Sequence, residues 1–487
     1  MNSAEFFSNF QSMFPIILPV ISGVILLLVS AWTPPHRRWL APLWVALTLV
    51  VTLGLILWQG PADATAFDGM VVRDGFSLFL AAILLVSSLV AVGLSVDYFR
   101  CGGECRSEYF VLLLFSVSGM MLMAEALDLI IAFLALELLS LPLYVLVASA
   151  CRQAEAEESS LKYFLMGAFS SGFVLYGVAL IFGATGSTNI YALSEIFQSG
   201  AFSQPLLLIG AGMLLAGFSF KVGVVPFHMW VPDVYQGAPA PVTAFMSVGA
   251  KVAAFAALLR IFLIAFAAIS AELASLVWML AALSMLLGNL AAIPQSSLKR
   301  MLAYSSIAHG GYLMMPMVAL GEQGRPLADA VASILFYLIV YALANLGAWA
   351  VVITLEKENG AAVEVYDLAG LARKSPFLAV CMAVFMLSLI GMPPLMGFVG
   401  KFYLFSSVVQ VGQVSLALVG LLASLVSAVY YLRVIVVMYM RPGDPELHDT
   451  PFIRLTAGGM ALGLLVFSIF ATPIFNWLWR LVFGVQQ

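Results

Sequence analysis

Charge is what this 487-residue chain has least of: Asp, Glu, Lys and Arg together make up 9% of it, against roughly a quarter in soluble domains. That scarcity excludes a water-solvated globular domain, and 63% hydrophobic residues with a mean hydropathy of +1.06 make the chain an integral membrane protein. A basic surplus is missing too, since the net charge is −4, so nothing points to a nucleic-acid partner. Cysteine is scarce. Cys101 and Cys105 form one C-x-x-x-C with no second pair and no nearby histidine, so no metal or iron–sulfur centre is expected, and Cys151 adds no disulfide on a reducing face. No glycine pattern flanked by strand and helix suggests a bound nucleotide. No Lys or Arg precedes the first apolar segment, which is too long for a signal sequence and reads as a retained helix. The short alternating strands of a membrane barrel are absent as well.

What is present is a succession of continuous apolar runs, each near the roughly 20 residues that cross a bilayer as a helix. Fourteen spans are expected, at 12–31, 39–59, 75–97, 108–124, 127–149, 159–184, 205–231, 240–266, 272–293, 298–320, 326–354, 377–410, 413–440 and 455–483. The longest polar stretch, 356–376, is a connector between spans 11 and 12. With loops numbered by the span they follow, and residues within three positions of a span end counted with the adjoining loop or terminus, odd loops carry thirteen of the 21 Lys and Arg residues. Even loops and termini carry three (Arg73, Arg325, Arg480), and five lie inside spans. This bias places the odd loops in the cytoplasm and both termini outside.

The phrase Gly-Phe-x-x-Lys occurs twice, as GFSFK at 217–221 in span 7 and GFVGK at 397–401 in span 12. Five spans apart, the copies enter the membrane from opposite sides, which predicts an inverted repeat of spans 4–8 against 9–13. Helix breakers accompany both: Gly217, Gly223 and Pro226 in span 7, and Gly391, Pro393, Pro394, Gly397 and Gly400 in span 12. Proline frees backbone groups, so spans 7 and 12 are expected to be broken. The predicted architecture is an all-α polytopic membrane protein in one integral domain, 1–487. Within it lie spans 1–3 (1–97), a first repeat (108–266), a second repeat (272–440) and a last helix (455–483).

Four ionisable residues fall near mid-span: Glu137 in span 5, Lys221 in span 7, Lys251 in span 8 and Lys401 in span 12. A charge at a helix centre costs roughly 2.5–3.5 kcal/mol on insertion scales, so such residues face the bundle interior and mark function. All four can carry protons. Burial favours the neutral amine and a nearby carboxylate favours the charged one, which makes Glu137 the expected partner of Lys221. A static ion pair is the alternative, but one glutamate cannot neutralise three lysines. His228 in VVPFHMWVPDVYQGAP and His309 in LAYSSIAHGGY are either proton relays or satisfied structural histidines, with Ser305, Ser306 and Tyr312 as partners for His309. Asp128, Lys162, Lys299 and Asp233 lie near span ends, where solvated anchoring is the default, and Arg260 and Arg433 are placed to snorkel.

The runs GFSFKVGVVPFHMWVPDVYQGAPAPVTAFMS, LKRMLAYSSIAHGGY and DLAGLARKSP followed by GMPPLMGFVGKFYLF resemble the subunit N family. These are antiporter-like membrane subunits of the bacterial proton-pumping NADH:quinone oxidoreductase, respiratory complex I. The wording PDVYQGAP at 232–239 is similar to the N type. The resemblance implies proton translocation by Glu137, Lys221, Lys251 and Lys401, with His309 and Lys299 matching the family's span 10 pair less closely. It also implies a translocase subunit of the bacterial inner membrane without a redox centre of its own. NADH, FMN, iron–sulfur clusters and quinone would then belong to other subunits, and the neighbours would be subunits M, K and J and the lipid bilayer. A cation/proton antiporter using the same lysines, and a purely structural subunit, are the competing readings.

Overall fold

The structure is a computed structural model. It describes every residue except 1–2, 35–36, 62–63, 103–105, 150–153, 200–202, 320–324, 357–362, 449–450 and 484–487; Cys105, Cys151, Arg152 and Lys357 lie outside the described residues. In chain order the elements are α1 (Ser3–Trp32), α2 (Leu40–Gln59), a hairpin of β1 (Ala64–Ala66) and β2 (Val71–Arg73), α3 (Gly75–Gly102), α4 (Ser107–Glu125), α5 (Leu129–Val147), α6 (Ala154–Thr185) and α7 (Ile190–Ser199). Then follow α8 (Gln204–Val222), α9 (Trp230–Gly237), α10 (Ala240–Arg260), α11 (Ser270–Ala292), α12 (Leu298–Met314) and α13 (Arg325–Ile353). The chain closes with α14 (Leu371–Lys374), α15 (Pro376–Ile390), α16 (Met396–Gln410), α17 (Val414–Met440), α18 (Pro451–Ile469) and α19 (Ala471–Phe483).

Twelve of these helices are long and apolar enough to cross a membrane unaided. The crossings at spans 10 and 12 are made by α12 and by α15 with α16, which gives the fourteen expected. Loop contacts confirm the alternation of sides. Even loops meet one another: Arg260 binds Asp74 at 2.7 Å, and Asn189 Nδ2 donates to Gly69 O. Odd loops meet one another: Lys162 and Arg300 both bind Asp233, the Ile453 amide donates to Asp97, and Lys374 binds Asp444. At the centre runs α10, all 21 of whose residues are buried. Small residues fill it, and neighbours therefore approach closely from every direction.

The inverted repeat is visible in the backbone. On the even-loop face the Leu129 amide donates to Thr188 O and the Ile190 amide to Leu127 O; on the odd-loop face Leu298 donates to Val363 O and Val365 to Ser296 O. Arg260 at the end of α10 donates to Ala124 O near the end of α4, and Arg433 on α17 donates to Ile293 O and Gln295 O beyond α11. These arginines clamp helix C-terminal carbonyls, where a cation is favourable, so neither snorkels as the sequence suggested.

Both broken spans are real, and their construction corrects the register read from Gly-Phe-x-x-Lys. The left-handed Gly223 (φ 80°) caps α8 with its amide on Ser219 O and Phe220 O, and Gly391 (φ 90°) caps α15 on Leu387 O and Ser388 O. The next amides, Val224 and Met392, return to Ser219 O and Leu387 O. Pro226 and Pro394 follow three residues after the glycines, each behind a cis peptide bond. Gly223 therefore corresponds to Gly391, an offset of 168 residues, whereas the two phrases lie 180 apart. In the true register Lys221 matches Leu389, and Lys401 matches Asp233. Gly217 is not a breaker either. It sits inside α8, where a Cβ would come within 2.3 Å of Val174 on α6, so its role is close helix packing. Gly397 faces Ser388 O across the second break, where a Cβ would lie 1.8 Å from that oxygen.

Span 14 also differs from expectation. It is two helices, because Pro473 lacks an amide and its ring would clash with the carbonyl of Ile469, where α18 ends. The second piece, α19, turns along the bundle so that Trp477 meets Phe79 at the start of α3.

Asp74 holds the buried Arg260 guanidinium through two oxygens, at 3.0 and 2.7 Å. Burial pushes its carboxyl up, but Arg260 and Ser77 together bring it below the usual carboxylate value. Its contribution is thus complete above the unfolded pKa of about 3.9 and fades as pH falls through the lower folded value. Asp74→Ala strands the arginine and is expected to destabilise the protein by about 3–5 kcal/mol, read as a lowered Tm in detergent at neutral pH, with the difference shrinking in strong acid.

Candidate functional site

The three mid-span lysines are each at most 4% exposed, so none reaches lipid or a bundle face. Their seats share one chemistry. Lys221, in the last turn of α8, donates to Ser140 Oγ (2.8 Å) and Tyr163 Oη (3.1 Å) and lies 5.2 Å from the Tyr163 ring centre. Lys251 donates to the carbonyl and the hydroxyl (2.8 Å) of Ser306 and lies 4.8 Å from the Tyr341 ring centre. Lys401 donates to Ile390 O and Ser424 Oγ, both at 2.9 Å, and lies 4.5 Å from the Tyr312 ring centre. Every seat is a serine and a tyrosine face; among the described residues no carboxylate touches any of the three amines.

That neutrality has a chemical consequence. A carboxylate would commit the amine to its charged form, whereas a serine hydroxyl accepts from an ammonium and rotates to donate to a neutral amine. The tyrosine faces add cation–π attraction to the charged state without forbidding the other. Each seat therefore tolerates both protonation states.

Glu137 does not form the direct ion pair with Lys221 that the sequence suggested. Its half-buried carboxylate accepts from Ser171 on α6, while Lys221 is bound one turn further along α5, at Ser140. Glu137 and Ser140 are three residues apart on one face, so the lysine sits beside the acid but not on it.

His309 lies on α12 between the central and second-half lysines, 1% exposed. Its Nδ1 is 2.9 Å from Tyr337 Oη and its Nε2 3.1 Å from Tyr431 Oη, and Tyr431 in turn bonds Ser305. Of the partners expected from sequence, Ser305 acts through Tyr431, Ser306 serves Lys251, and Tyr312 presents its ring to Lys401. His228 falls in the first break, with Nδ1 buried and without a partner among the described residues, and stands apart from this line. Lys299 lies on the odd-loop face, 8% exposed at its side chain and ion-paired with Glu356. Asp128 is a helix cap, accepting from the Ile130 amide at 2.8 Å and from Thr188.

Together these residues form a buried line from Glu137 through Lys221, Lys251 and His309 to Lys401, crossing both repeats. It is a series of separate hydrogen-bonded groups. Between Lys221 and Lys251 the link is aromatic: Tyr163 stacks on Trp230 at 4.6 Å, Trp230 meets Tyr235 at 6.2 Å, and Tyr235 Oη reaches Ser306 Oγ at 3.5 Å. Tyr341 and Tyr312 flank His309 at 5.5 and 5.7 Å. Aromatic faces do not relay protons, so conduction along the line requires water or side-chain movement at these joints. The residues missed from sequence are Ser140, Tyr163, Tyr235, Tyr337, Tyr341, Tyr431 and Ser424. Only Ser140, spaced i, i+3 with Glu137 on α5, left a sequence signal.

Residues 126–427 match the family described as NADH:quinone oxidoreductase/Mrp antiporter, TM. A relative from Trichlorobacter lovleyi named NADH-quinone oxidoreductase subunit N is 45% identical over 472 residues, covering 96% of this chain and 94% of the relative. One of the same name from Chloroflexus aggregans is 42% identical over 471 residues, covering 95% and 94%. Among solved structures, a chain of respiratory complex I from Thermus thermophilus is 34% identical with a TM-score of 0.81, covering 95% of this chain and 98% of that one. A chain of the Mrp complex from a Dietzia species shares the fold, with a TM-score of 0.85 at 19% identity, covering 99% and 98%.

The second break carries its own test. A Cβ at Gly391 would enter the left-handed region and meet Lys401 Cδ at 3.0 Å, whereas a Cβ at Gly54 in α2 meets nothing within 4 Å. Gly391→Ala is expected to destabilise the protein by about 1–2 kcal/mol or more, and Gly54→Ala to leave the Tm unchanged or raise it, both read by thermal unfolding in detergent.

Proposed function

The chain belongs to the subunit N family of NADH-quinone oxidoreductases, and on that premise we propose that its buried line of lysines moves protons across the membrane when electrons pass from NADH to quinone elsewhere in the complex. It is a multi-pass membrane subunit of that enzyme and works with the complex's other subunits. The observation that carries the site assignment is the common seat: three buried amines held by hydroxyls and tyrosine faces, with no acid in contact among the described residues. Structural ion pairs would be built with carboxylates.

In this reading Lys221 is the switch. From Ser140 to Glu137 is about 4.5 Å along α5, roughly the rise of three residues, which a flexible lysine side chain can cover. Beside Ser140 the amine can give up its proton towards Lys251; beside the Glu137 carboxylate it is held charged. Movement at the break after Gly223, two residues from Lys221, would shift the balance between the two positions. Lys251 passes the proton through Ser306 and the tyrosines to His309, and Lys401 receives it on the far side of the bundle. Lys299 and His228 are secondary relay positions.

NADH oxidation, FMN, iron–sulfur clusters and quinone reduction belong to other subunits, and this chain brings no redox centre. The odd loops face the cytoplasm of the bacterial cell and the termini the outer side, with subunits M, K and J as membrane neighbours.

The decisive measurement is NADH-driven proton uptake into inverted membrane vesicles carrying Lys221→Ala, with assembly of the complex checked on the same preparation. Assembled complex with uptake and quinone-linked turnover reduced about tenfold or more, on the scale of losing an acid–base group, is the expected result. Undiminished uptake and turnover would sink the assignment.

A further inference from the structure

The buried line begins well inside the bundle, and one feature of the odd-loop face leads to it. Where α13 ends, a cavity of about 710 Å³ opens between the connector after α13 and the segment before α18, its wall including Glu356, Tyr366, Asp367, Asp444, Glu446 and His448. Glu356 is the member of that wall that also reaches the interior. One of its oxygens accepts from Lys299, with side-chain exposures of 17% and 8% for acid and amine, and its Oε2 is buried with no partner among the described residues.

Lys299 in turn points at the core. Its Nζ lies 3.5 Å from Ala238 O, the residue just past α9, and α9 carries Tyr235, whose hydroxyl reaches Ser306. Ser306 is seven residues beyond Lys299 on α12, which puts the two on one helix face about 10 Å apart. The turn between them on that face carries Leu302 and the small Ala303. Ser306 is the seat of Lys251.

Resting on the proton-translocation reading, we infer that Glu356 is the proton-loading group of an inlet on the odd-loop face, delivering protons from the cavity to Lys251 by way of Lys299 and Ser306. The cycle balances. A proton from water in the cavity adds to the Glu356 carboxylate, and the neutral acid loosens the Lys299 ammonium. Lys299 turns inward and gives one proton, through Ser306, to a neutral Lys251. The neutral Lys299 returns, takes the proton from Glu356 and restores the ion pair, so one proton has entered and one has reached Lys251.

The groups that face Glu356 are Lys299 from α12 and Tyr98 from α3, with Tyr366, Asp367, Asp444, Glu446 and His448 across the cavity. Asp444 is already paired with Lys374, at 2.7 Å, and Asp367 accepts from the Glu364 amide. Lys299 alone is ion-paired with the Glu356 carboxylate among the described residues, which makes the acid's protonation the event that frees it.

The test is proton uptake by the assembled complex in inverted vesicles, followed against external pH for Glu356→Gln, Glu356→Asp and Glu356→Ala with and without added formate, alongside Lys221→Ala. Glu356→Gln is expected to lower uptake about tenfold or more, most strongly at alkaline pH where loading is limiting. Glu356→Asp should keep most of the activity with a displaced pH profile, and formate should partly restore Glu356→Ala. Full uptake by Glu356→Gln at every pH would overturn the inlet, as would equal losses in all variants with no displaced profile and no formate effect. If Glu356→Gln fails to assemble, the aspartate profile and the formate effect decide. Loss in Lys221→Ala with none in Glu356→Gln removes the inlet and leaves the translocation reading standing; normal uptake in Lys221→Ala removes that reading itself.

Discussion

Inside a hydrocarbon layer a freed backbone carbonyl finds no water, so a membrane helix can be broken only where other protein groups take up its hydrogen bonds. The two breaks of this bundle meet that requirement in ways that shape everything around them. At the second, Ile390 O is taken by the Lys401 amine and the Ser424 hydroxyl together, which places an ionisable amine at the C-terminal end of α15. At the first, Trp230 Nε1 takes Phe220 O and Ser284 Oγ takes the Val225 amide. A lysine is therefore part of one break's repair and a close neighbour of the other.

The same constraint explains why the site is polar without being ionic. A carboxylate at each lysine would give a stable pair and a fixed charge, and breaking such a pair leaves an uncompensated buried ion. Serine hydroxyls and tyrosine faces satisfy the amines at less commitment, and the acids stand away from the three amines. Glu137 stands one turn from Lys221, Glu356 pairs with Lys299 near the odd-loop face, and Asp74 locks Arg260 on the opposite face. Charges that hold the fold are paired; among the described residues, those on the central line form no ion pair.

The repeats join these two tasks. Equivalent backbone bridges and equivalent arginine clamps tie each half together at opposite faces, which leaves the breaks and the fully buried α10 between them. Yet the halves do not carry equivalent lysines. In the register of the breaks Lys401 corresponds to Asp233, which is bound by Lys162 and Arg300 on the odd-loop face. The scaffold is symmetric while the chemistry along it has a direction, as transport from one side to the other requires.

Hydropathy and the distribution of basic residues by themselves determined the membrane class, the fourteen crossings and their alternation, because each span must be apolar over a bilayer's thickness whatever its neighbours do. The candidate lysines and His309 were equally legible, since an ionisable residue in such a span is conspicuous. The tertiary structure alone decided the register of the repeat, because Gly-Phe-x-x-Lys recurs by composition whereas Gly223 and Gly391 are matched by backbone geometry. It also decided what holds each amine. Ser140, Tyr163, Tyr431 and Ser424 come from helices far apart in sequence, and a serine or tyrosine in an apolar helix carries no mark of the partner it will meet. The bend at Pro473 and the pairing of Glu137 with Ser171 in place of Lys221 belong to the same class, set by distances of a few ångströms between helices that no linear pattern encodes.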